Sequence, residues 1–129
     1  MSQSEYFTHF ISERGSFLVI SITGSLHQMA LKDLADFKAD VLTRVREKFV
    51  VINLLGVDQI SGDAISWLAQ LQLDIRNESH AMRICLSESS LKTKLMNMGL
   101  IRHSEWAESI EKALTSIPPM RKDEKAAVS

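Results

Sequence analysis

The sequence predicts an α/β fold, built on a largely parallel sheet that opens with an antiparallel hairpin and is flanked by about four helices. Segments rich in β-branched and aromatic residues alternate with segments whose apolar residues recur at helical spacing. Strands that alternate with helices usually pair in parallel through crossover connections. The first two strand-like segments are joined directly by a turn, so the sheet is expected to be mixed.

The first half of the chain predicts the hairpin, a long helix and a buried strand. Residues 6–13 (YFTHFISE) are rich in β-forming residues, and residues 15–24 (GSFLVISITG) follow after the turn signal RG. Residues 49–55 (FVVINLL) form a continuous apolar run, which is typical of a central strand covered on both faces. Residues 27–49 predict an amphipathic helix with these apolar positions: Leu31, Leu34, Phe37, Val41, Leu42 and Val45.

The next three elements continue the alternation. Residues 63–77 predict a helix and residues 81–88 (AMRICLSE) predict a strand. Residues 89–99 (SSLKTKLMNMG) predict a short helix that ends at Gly99, because a C-terminal cap needs a positive φ. The helix over residues 63–77 has one apolar face, formed by Ala64, Leu68, Leu71 and Ile75.

The last elements are short. Residues 100–103 (LIRH) predict a final strand, and residues 104–117 (SEWAESIEKALTSI) predict a final helix with Ser104 as its N-cap. The domain is therefore expected to cover residues 1–117. Residues 118–129 contain two prolines and a charged, aromatic-free stretch, and we expect them to be a disordered tail.

Composition narrows the classes of function. The 129 residues carry a formal net charge of -1, and the basic groups are scattered among acids, so we expect no nucleic-acid partner. We expect no direct membrane insertion, because every apolar run is far shorter than a membrane span. We expect no signal peptide, because residues 1–10 (MSQSEYFTHF) have no basic segment followed by an apolar run. A single cysteine, Cys85, fits a reducing compartment, and the expected location is cytoplasmic.

The residue types that carry catalysis or bind metals are not clustered. Cys85 lies in the middle of a predicted strand, and the loops lack the glycine and lysine spacing of a phosphate-binding site. Asp58 stands without the acidic pair that a receiver domain needs to bind magnesium. We therefore expect no enzyme, no catalytic residue and no cofactor. We expect no metal site because the four histidines lack ligand spacing: His9, His27, His80 and His103.

A common pattern runs through ITGSL (residues 22–26), VVINLLGVDQISGDAISWL (residues 50–68) and MRICLSESSLKTKLMNMGL (residues 82–100). This pattern resembles the STAS domain, which is shared by sulphate transporters and bacterial anti-sigma-factor antagonists. In that family a Gly-x-Leu ends the second strand, as Gly24 to Leu26 do in ITGSL. A central strand then leads to a loop of the form Asp-Ser/Thr-Ser-Gly at the start of a helix, and VVINLLGVDQISGDAISWL (residues 50–68) is similar. The resemblance covers residues 6–114 and also includes MRICLSESSLKTKLMNMGL.

The resemblance implies a regulatory protein. Antagonists of this family bind a serine-kinase anti-sigma factor, which phosphorylates the first Ser or Thr of the loop and so breaks the complex, and a phosphatase restores it. Counted without gaps from Asn53, the acceptor position falls on Gly62, between Ser61 and Asp63, and the motif's Gly falls on Ala64. A glycine cannot be phosphorylated, so in this register the usual switch is absent.

Three interpretations of the loop remain open. In the first, Ser61 or Asp63 caps the helix and stabilises it by about 1 kcal/mol. Capping is compatible with either of the other two interpretations. In the second, the loop is shifted by one residue and Ser61 is the phosphorylation candidate, where a phosphate would repel an acidic partner surface. In the third, Asp63 supplies a fixed negative charge beside the former acceptor position, so that binding has no covalent control.

The partner surface is expected to adjoin this loop. On a helical wheel, Ile65, Ala69 and Leu73 form a second row, rotated outward from the apolar face, although a neighbouring helix could also cover it. The expected partner-binding residues are Gly24, Leu26, Ile60, Ile65, Ser66, Ala69 and Leu73. The expected partner is a serine-kinase anti-sigma factor or a related regulatory protein, together with a phosphatase. The alternative is a non-catalytic STAS accessory subunit of a membrane transport ATPase or a stress-signalling complex.

Overall fold

A computed structural model describes residues 6–116, which form one five-stranded sheet of order β1-β2-β3-β4-β5 with four α-helices. The predicted tail, residues 118–129, lies outside the described residues, as does residue 117 at the predicted domain boundary. Short 3-10 turns precede α1 and β5. The elements are β1 (Phe7–Arg14), β2 (Phe17–Leu26), α1 (Leu31–Leu42), β3 (Phe49–Ile60), α2 (Gly62–Glu78), β4 (Ala81–Cys85), α3 (Ser90–Asn97), β5 (Trp106–Ala107) and α4 (Ile110–Ser116).

The sheet is mixed, as the sequence predicts. β1 and β2 are antiparallel, and β2 to β5 pair in parallel. Gly15 opens the hairpin turn with a φ of 57°, the positive value that a tight turn between twisted strands needs. The predicted α/β fold with a leading hairpin is therefore confirmed.

The two faces of the sheet pack against different helices. On one face, alternate residues of β2 and β3 such as Ile20 and Ile52 share a core with residues of α1, α2 and α3. On the other face, Val51 and Cys85 pack against Ala113 of the short helix α4. Because side chains alternate across a strand, one apolar run serves both cores.

Three predicted boundaries in the second half are wrong. Strand β4 ends at Cys85 and not at residue 88. The final strand is Trp106–Ala107 instead of residues 100–103, because Trp106 pairs with β4 and its indole N–H donates to the Leu86 carbonyl oxygen at 2.8 Å. Helix α4 accordingly begins at Ile110, and the Ser109 hydroxyl, not that of Ser104, accepts a hydrogen bond from the first-turn amide of Lys112 at 3.1 Å.

The first long helix is shorter than predicted, whereas the central strand is longer. Helix α1 ends at Leu42, although Val45 beyond it is still buried, and Glu47 takes a φ of 59° before β3 begins. Strand β3 continues to Ile60, five residues past the predicted end at residue 55. This extension places the start of α2 directly at the carboxyl edge of the sheet. Within residues 6–116, no helix is both long and apolar enough to cross a membrane.

Candidate functional site

Ser61, Gly62 and Asp63 connect the carboxyl end of β3 to the first turn of α2. Ser61 is the N-cap, with extended backbone (φ -74°, ψ 165°), and its Oγ accepts a hydrogen bond from the Ala64 amide at 3.4 Å. Asp63 lies in the first helical turn, where the helix dipole favours a carboxylate. Capping by Ser61 is therefore confirmed.

The loop is open to solvent at its centre. Gly62 and Asp63 are exposed, and Ser61 is half-buried. A Cβ added to Gly62 would meet nothing within 4 Å, and Gly62 does not need a positive φ. Another macromolecule can therefore reach the loop, and a larger residue at position 62 would fit without moving a neighbour.

Two irregularities in the pairing of β2 with β3 shape the strand that leads to the loop. The register shifts once after Ser21 and again after Gly24. At the first shift, the Asn53 side-chain amide donates to the Ser21 hydroxyl at 3.1 Å, and its carbonyl oxygen accepts from the Leu55 amide at 3.0 Å. Asn53 thus satisfies a backbone donor that the regular ladder would otherwise leave unpaired.

Gly24 is required by a close backbone approach. Its φ is 112°, and an added Cβ would lie 2.4 Å from the Tyr6 carbonyl oxygen. The same oxygen accepts a hydrogen bond from the Ser25 amide at 2.8 Å, which holds β1 against the end of β2. The glycine of the Gly-x-Leu segment is therefore structural here.

A 3-10 turn over Gln28–Ala30 borders the loop, and the sequence pattern did not predict it. His27 Nδ1 accepts a hydrogen bond from the Met29 amide at 2.9 Å, and the His27 ring stacks on Tyr6 with centroids 4.7 Å apart. The turn presents Met29, which is 69% exposed. A lone histidine before a helix has no periodic signal, so only the structure could identify this role.

The predicted partner-binding residues divide into exposed and buried groups. Ser66 is exposed and Leu73 is 46% exposed, while Gly24 and Ala69 are half-buried. The prediction of an outward row is wrong at Ile65, which is 9% exposed and belongs to the core. Leu26 and Ile60 are also buried, because their side chains point from the strand ends into the same core, so these two residues support the loop from beneath.

Polar contacts on both sides fix the orientation of α2. On one side the Trp67 indole N–H donates to the Leu34 carbonyl oxygen at 2.9 Å, and Lys38 bonds Asp74 at 3.0 Å, which lowers the pKa of that carboxyl. On the other side Arg76 donates twice to Glu105, at 2.8 and 3.0 Å. The exposed loop therefore begins a helix that is held in place along its length.

Gln72 is an unusual residue on α2. It is 1% exposed, and neither its amide nitrogen nor its amide oxygen has a hydrogen-bond partner among the described residues. A buried amide without partners costs free energy. Glutamine is mostly found on surfaces, so the helical pattern predicted no buried polar residue here.

Three further side chains that could carry chemistry, Cys85, His9 and His80, are buried or packed against aromatic rings. Burial raises the pKa of the Cys85 thiol to about 11, which makes it a poor nucleophile at neutral pH. His9 packs 4.4 Å from the Phe37 ring, measured between ring centroids, and His80 packs 5.4 Å from Phe49. Among residues 6–116, no group of three or more His, Cys, Asp or Glu side chains could hold a metal ion.

Comparison with known proteins identifies the fold. No family model and no curated protein matches the sequence. An anti-sigma factor antagonist from Mycobacterium paratuberculosis superposes with a TM-score of 0.73 at 16% identity, covering 91% of this chain and 98% of that one. The anti-sigma factor antagonist SpoIIAA in its unphosphorylated form gives 0.63 at 11% identity, over 87% of this chain and 100% of the other.

A third similar structure is an uncharacterized protein from Shewanella loihica with a SpoIIAA-like fold. It gives a TM-score of 0.58 at 17% identity, and the match covers 89% of this chain and 97% of that chain. The predicted resemblance to the STAS domain is therefore confirmed at the level of the fold. At these identities the likeness establishes architecture, while partners and regulation depend on the residues of this chain.

Proposed function

We propose that this chain is a regulatory module that binds a protein partner, and that it acts as an antagonist of a kinase-type anti-sigma factor. Two of the similar structures are anti-sigma factor antagonists, and the fold of this chain is theirs. The observation that carries the proposal is the exposed Ser61–Asp63 loop at the start of α2.

The proposed contact surface combines the loop with its exposed neighbours. Met29 lies on the 3-10 turn that follows β2, and Ser66 lies one turn into α2. Leu73 extends the surface along the helix. An exposed methionine and an exposed leucine beside polar loop residues fit a protein partner, because such partners bury exposed apolar side chains rimmed by polar ones.

The same loop is proposed to lack the covalent switch. The Ser61 side chain is engaged as the N-cap and half-buried, which favours the gapless register, in which the acceptor position is Gly62. Asp63 then holds a permanent negative charge one residue away, on the exposed first turn. Partner binding is therefore proposed to depend on protein abundance and not on phosphorylation of the loop.

A pull-down from native cytoplasm, followed by mass spectrometry, tests the partner. Recovery of an ATPase of the histidine-kinase type that serves as an anti-sigma factor supports the antagonist role. Recovery of a membrane transport ATPase or a stress-signalling assembly identifies the accessory subunit instead. Gly62 is the observation that favours this second candidate, since a constitutive subunit needs no acceptor. If the pull-down recovers neither class of partner, both assignments are contradicted.

A substitution at Gly62 tests the missing switch. Because nothing lies within 4 Å of an added Cβ, Gly62→Ser should fold normally and place a hydroxyl at the acceptor position. With the captured kinase and ATP, we expect Gly62→Ser to gain phosphate and lose partner binding, while wild type and the matched control Gly62→Ala do neither. Phosphate mapped to Ser61 in the wild type would establish the shifted register and reject the unswitched loop.

A further inference from the structure

Strand β1 forms one edge of the sheet, and its outer side, which pairs with no other strand among residues 6–116, is long and regular. Its eight residues pair with β2 without a register shift, whereas β5 at the opposite edge has two residues. Proteins usually protect edge strands with a bulge, a proline or a lysine, because unpaired backbone groups recruit other strands. β1 has no proline, lysine or bulge, and its charged residues are confined to its end, at Glu13 and Arg14.

The backbone groups that point outward can be assigned from the hairpin. The Ser25 amide donates to the Tyr6 carbonyl oxygen, so Tyr6 and every second residue after it face β2. The free N–H and C=O groups of the edge therefore belong to the intervening residues Phe7, His9, Ile11 and Glu13. The backbone N–H and C=O of Phe10 point toward β2. Its side chain lies on the face of the sheet where α4 packs, and it is 67% exposed.

We propose that this edge is a self-association surface, on which β1 pairs in antiparallel fashion with β1 of a second copy around a two-fold axis at Phe10. A two-fold axis perpendicular to the sheet places the same face of both copies on the same side of the joined sheet. Two residues can therefore lie opposite each other across the new strand pair only if their side chains are on the same face. Pairing centred on Phe10 meets this condition and sets His9 opposite Ile11 and Phe7 opposite Glu13 of the second copy, each pair with outward backbone groups. The continuous sheet would then contain ten strands, five from each copy.

The central pair explains the exposed aromatic side chain. In this register the two Phe10 residues form a non-hydrogen-bonded pair, in which opposing side chains approach most closely. Aromatic pairs that face each other across antiparallel strands are favourable relative to alanine pairs. A second copy is the fitting occupant, because β1 itself is an extended strand with an apolar centre, and its charges lie only at its end, at Glu13 and Arg14.

The association would leave the loop at Ser61 accessible, and it does not depend on the proposed function. Tyr6, which stacks on His27 beside the loop, is four residues from Phe10, or about 14 Å along a strand. The two-fold axis therefore places the two loops at opposite ends of the paired strands. The dimer would present two separate binding sites to its partners.

Sedimentation velocity on the whole chain, from about 1 µM to about 1 mM, tests the association. We expect the wild type to shift reversibly from monomer to dimer, and Phe10→Lys to remain monomeric with an unchanged unfolding curve. Phe10 is exposed, so the substitution should not affect the fold. A wild type that stays monomeric over the whole range, or a Phe10→Lys variant that dimerises equally, would overturn the proposal.

Disulfide cross-linking tests the register. In the proposed pairing Phe10→Cys brings two cysteines within bonding range, whereas in Thr8→Cys the two new thiols are four residues apart, about 14 Å. Both positions are exposed, and the native Cys85 is buried and does not compete. We expect covalent dimers of Phe10→Cys to form at least about tenfold faster than those of Thr8→Cys. Equal rates would reject pairing at Phe10 even if a dimer exists.

Discussion

The Ser61 amide donates a hydrogen bond to the Leu26 carbonyl oxygen at 2.9 Å, and this contact joins the start of α2 to the end of β2. The residue after Leu26 is His27, which accepts the hydrogen bond that organises the turn carrying Met29. The loop and the turn are therefore held as one unit. A change at either strand end should alter both parts of the candidate site, whereas a change at the exposed Gly62 should alter only the loop.

Gly24→Ala should be strongly destabilising. The added Cβ would lie 2.4 Å from the Tyr6 carbonyl oxygen. The alanine would also have to adopt a φ of 112°, which residues with a side chain rarely adopt. We expect a loss of at least about 3 kcal/mol in the free energy of unfolding, measured with urea. Gly62→Ala is the matched control and should be neutral or slightly stabilising. Equal losses in both variants would contradict the close approach at Gly24.

Ser61→Ala should weaken the start of α2. The Ser61 hydroxyl accepts from the Ala64 amide at a long distance, 3.4 Å, so we expect a loss near the lower end of the range for N-caps, about 0.5–1 kcal/mol. Ser61→Asn can form the same bond and should retain most of the stability. Urea unfolding compares the two variants. If the asparagine variant is as unstable as the alanine variant, the Ser61 hydroxyl does not contribute as a cap.

Leu73→Asp should abolish partner binding and leave the fold intact. Leu73 is 46% exposed, so a charge there stays in water, but it would remove an apolar contact of the proposed surface. Binding of the captured partner is measured by calorimetry, and folding by thermal unfolding. Leu71→Asp is the control for burial, since Leu71 is fully buried and its substitution should unfold the chain. Loss of cooperative unfolding in Leu73→Asp would show that this position belongs to the core.

Gln72→Met should stabilise the protein. The substitution keeps the length of the side chain and removes two buried polar atoms that have no partner in the described residues. We expect the free energy of unfolding to rise by about 1–3 kcal/mol. Gln70→Met, on the exposed side of the same helix, should change it by less than about 0.5 kcal/mol. A destabilised Gln72→Met would indicate that the amide is satisfied in solution.

Cys85 should react with thiol reagents only when the protein unfolds, because the thiol is buried and its pKa is raised to about 11. As the pH rises, the unfolded state loses this proton first, at about pH 8.5, so the thiol makes the free energy of unfolding fall between about pH 8.5 and about 11. Urea unfolding at several pH values measures this fall. In Cys85→Ala the free energy of unfolding should fall less over this pH range. An equal fall in both proteins would show that other groups cause it.

The order of the elements could be predicted from the sequence because each depends on local periodicity. The hairpin, the alternation and the C-terminal cap at Gly99, which has a φ of 76°, all follow from local preferences. The end of β3 could not be predicted in this way. Residues 56–60 include glycine and aspartate, which are depleted in strands, and they form a strand here because they pair with β2, a distant part of the chain.

The candidate loop was predictable as a break between strand and helix, but its surroundings were not. A helical wheel places Ile65 and Leu73 in one row, yet it does not show that Ile65 is covered while Leu73 is open. Tertiary packing decides that difference. Similarly, Trp106 had the pattern of a helical residue, and its indole bond to the Leu86 carbonyl oxygen draws it into the sheet instead.

The spatial order of the strands repeats their order in the chain, so each new strand pairs with the one made just before it. During synthesis on the ribosome, the sheet can grow by one strand at a time, with no gap left for a later segment to fill. Strand β1 is made before the other four. In the proposed dimer, two neighbouring nascent chains on one messenger would therefore carry the pairing edge before either is released.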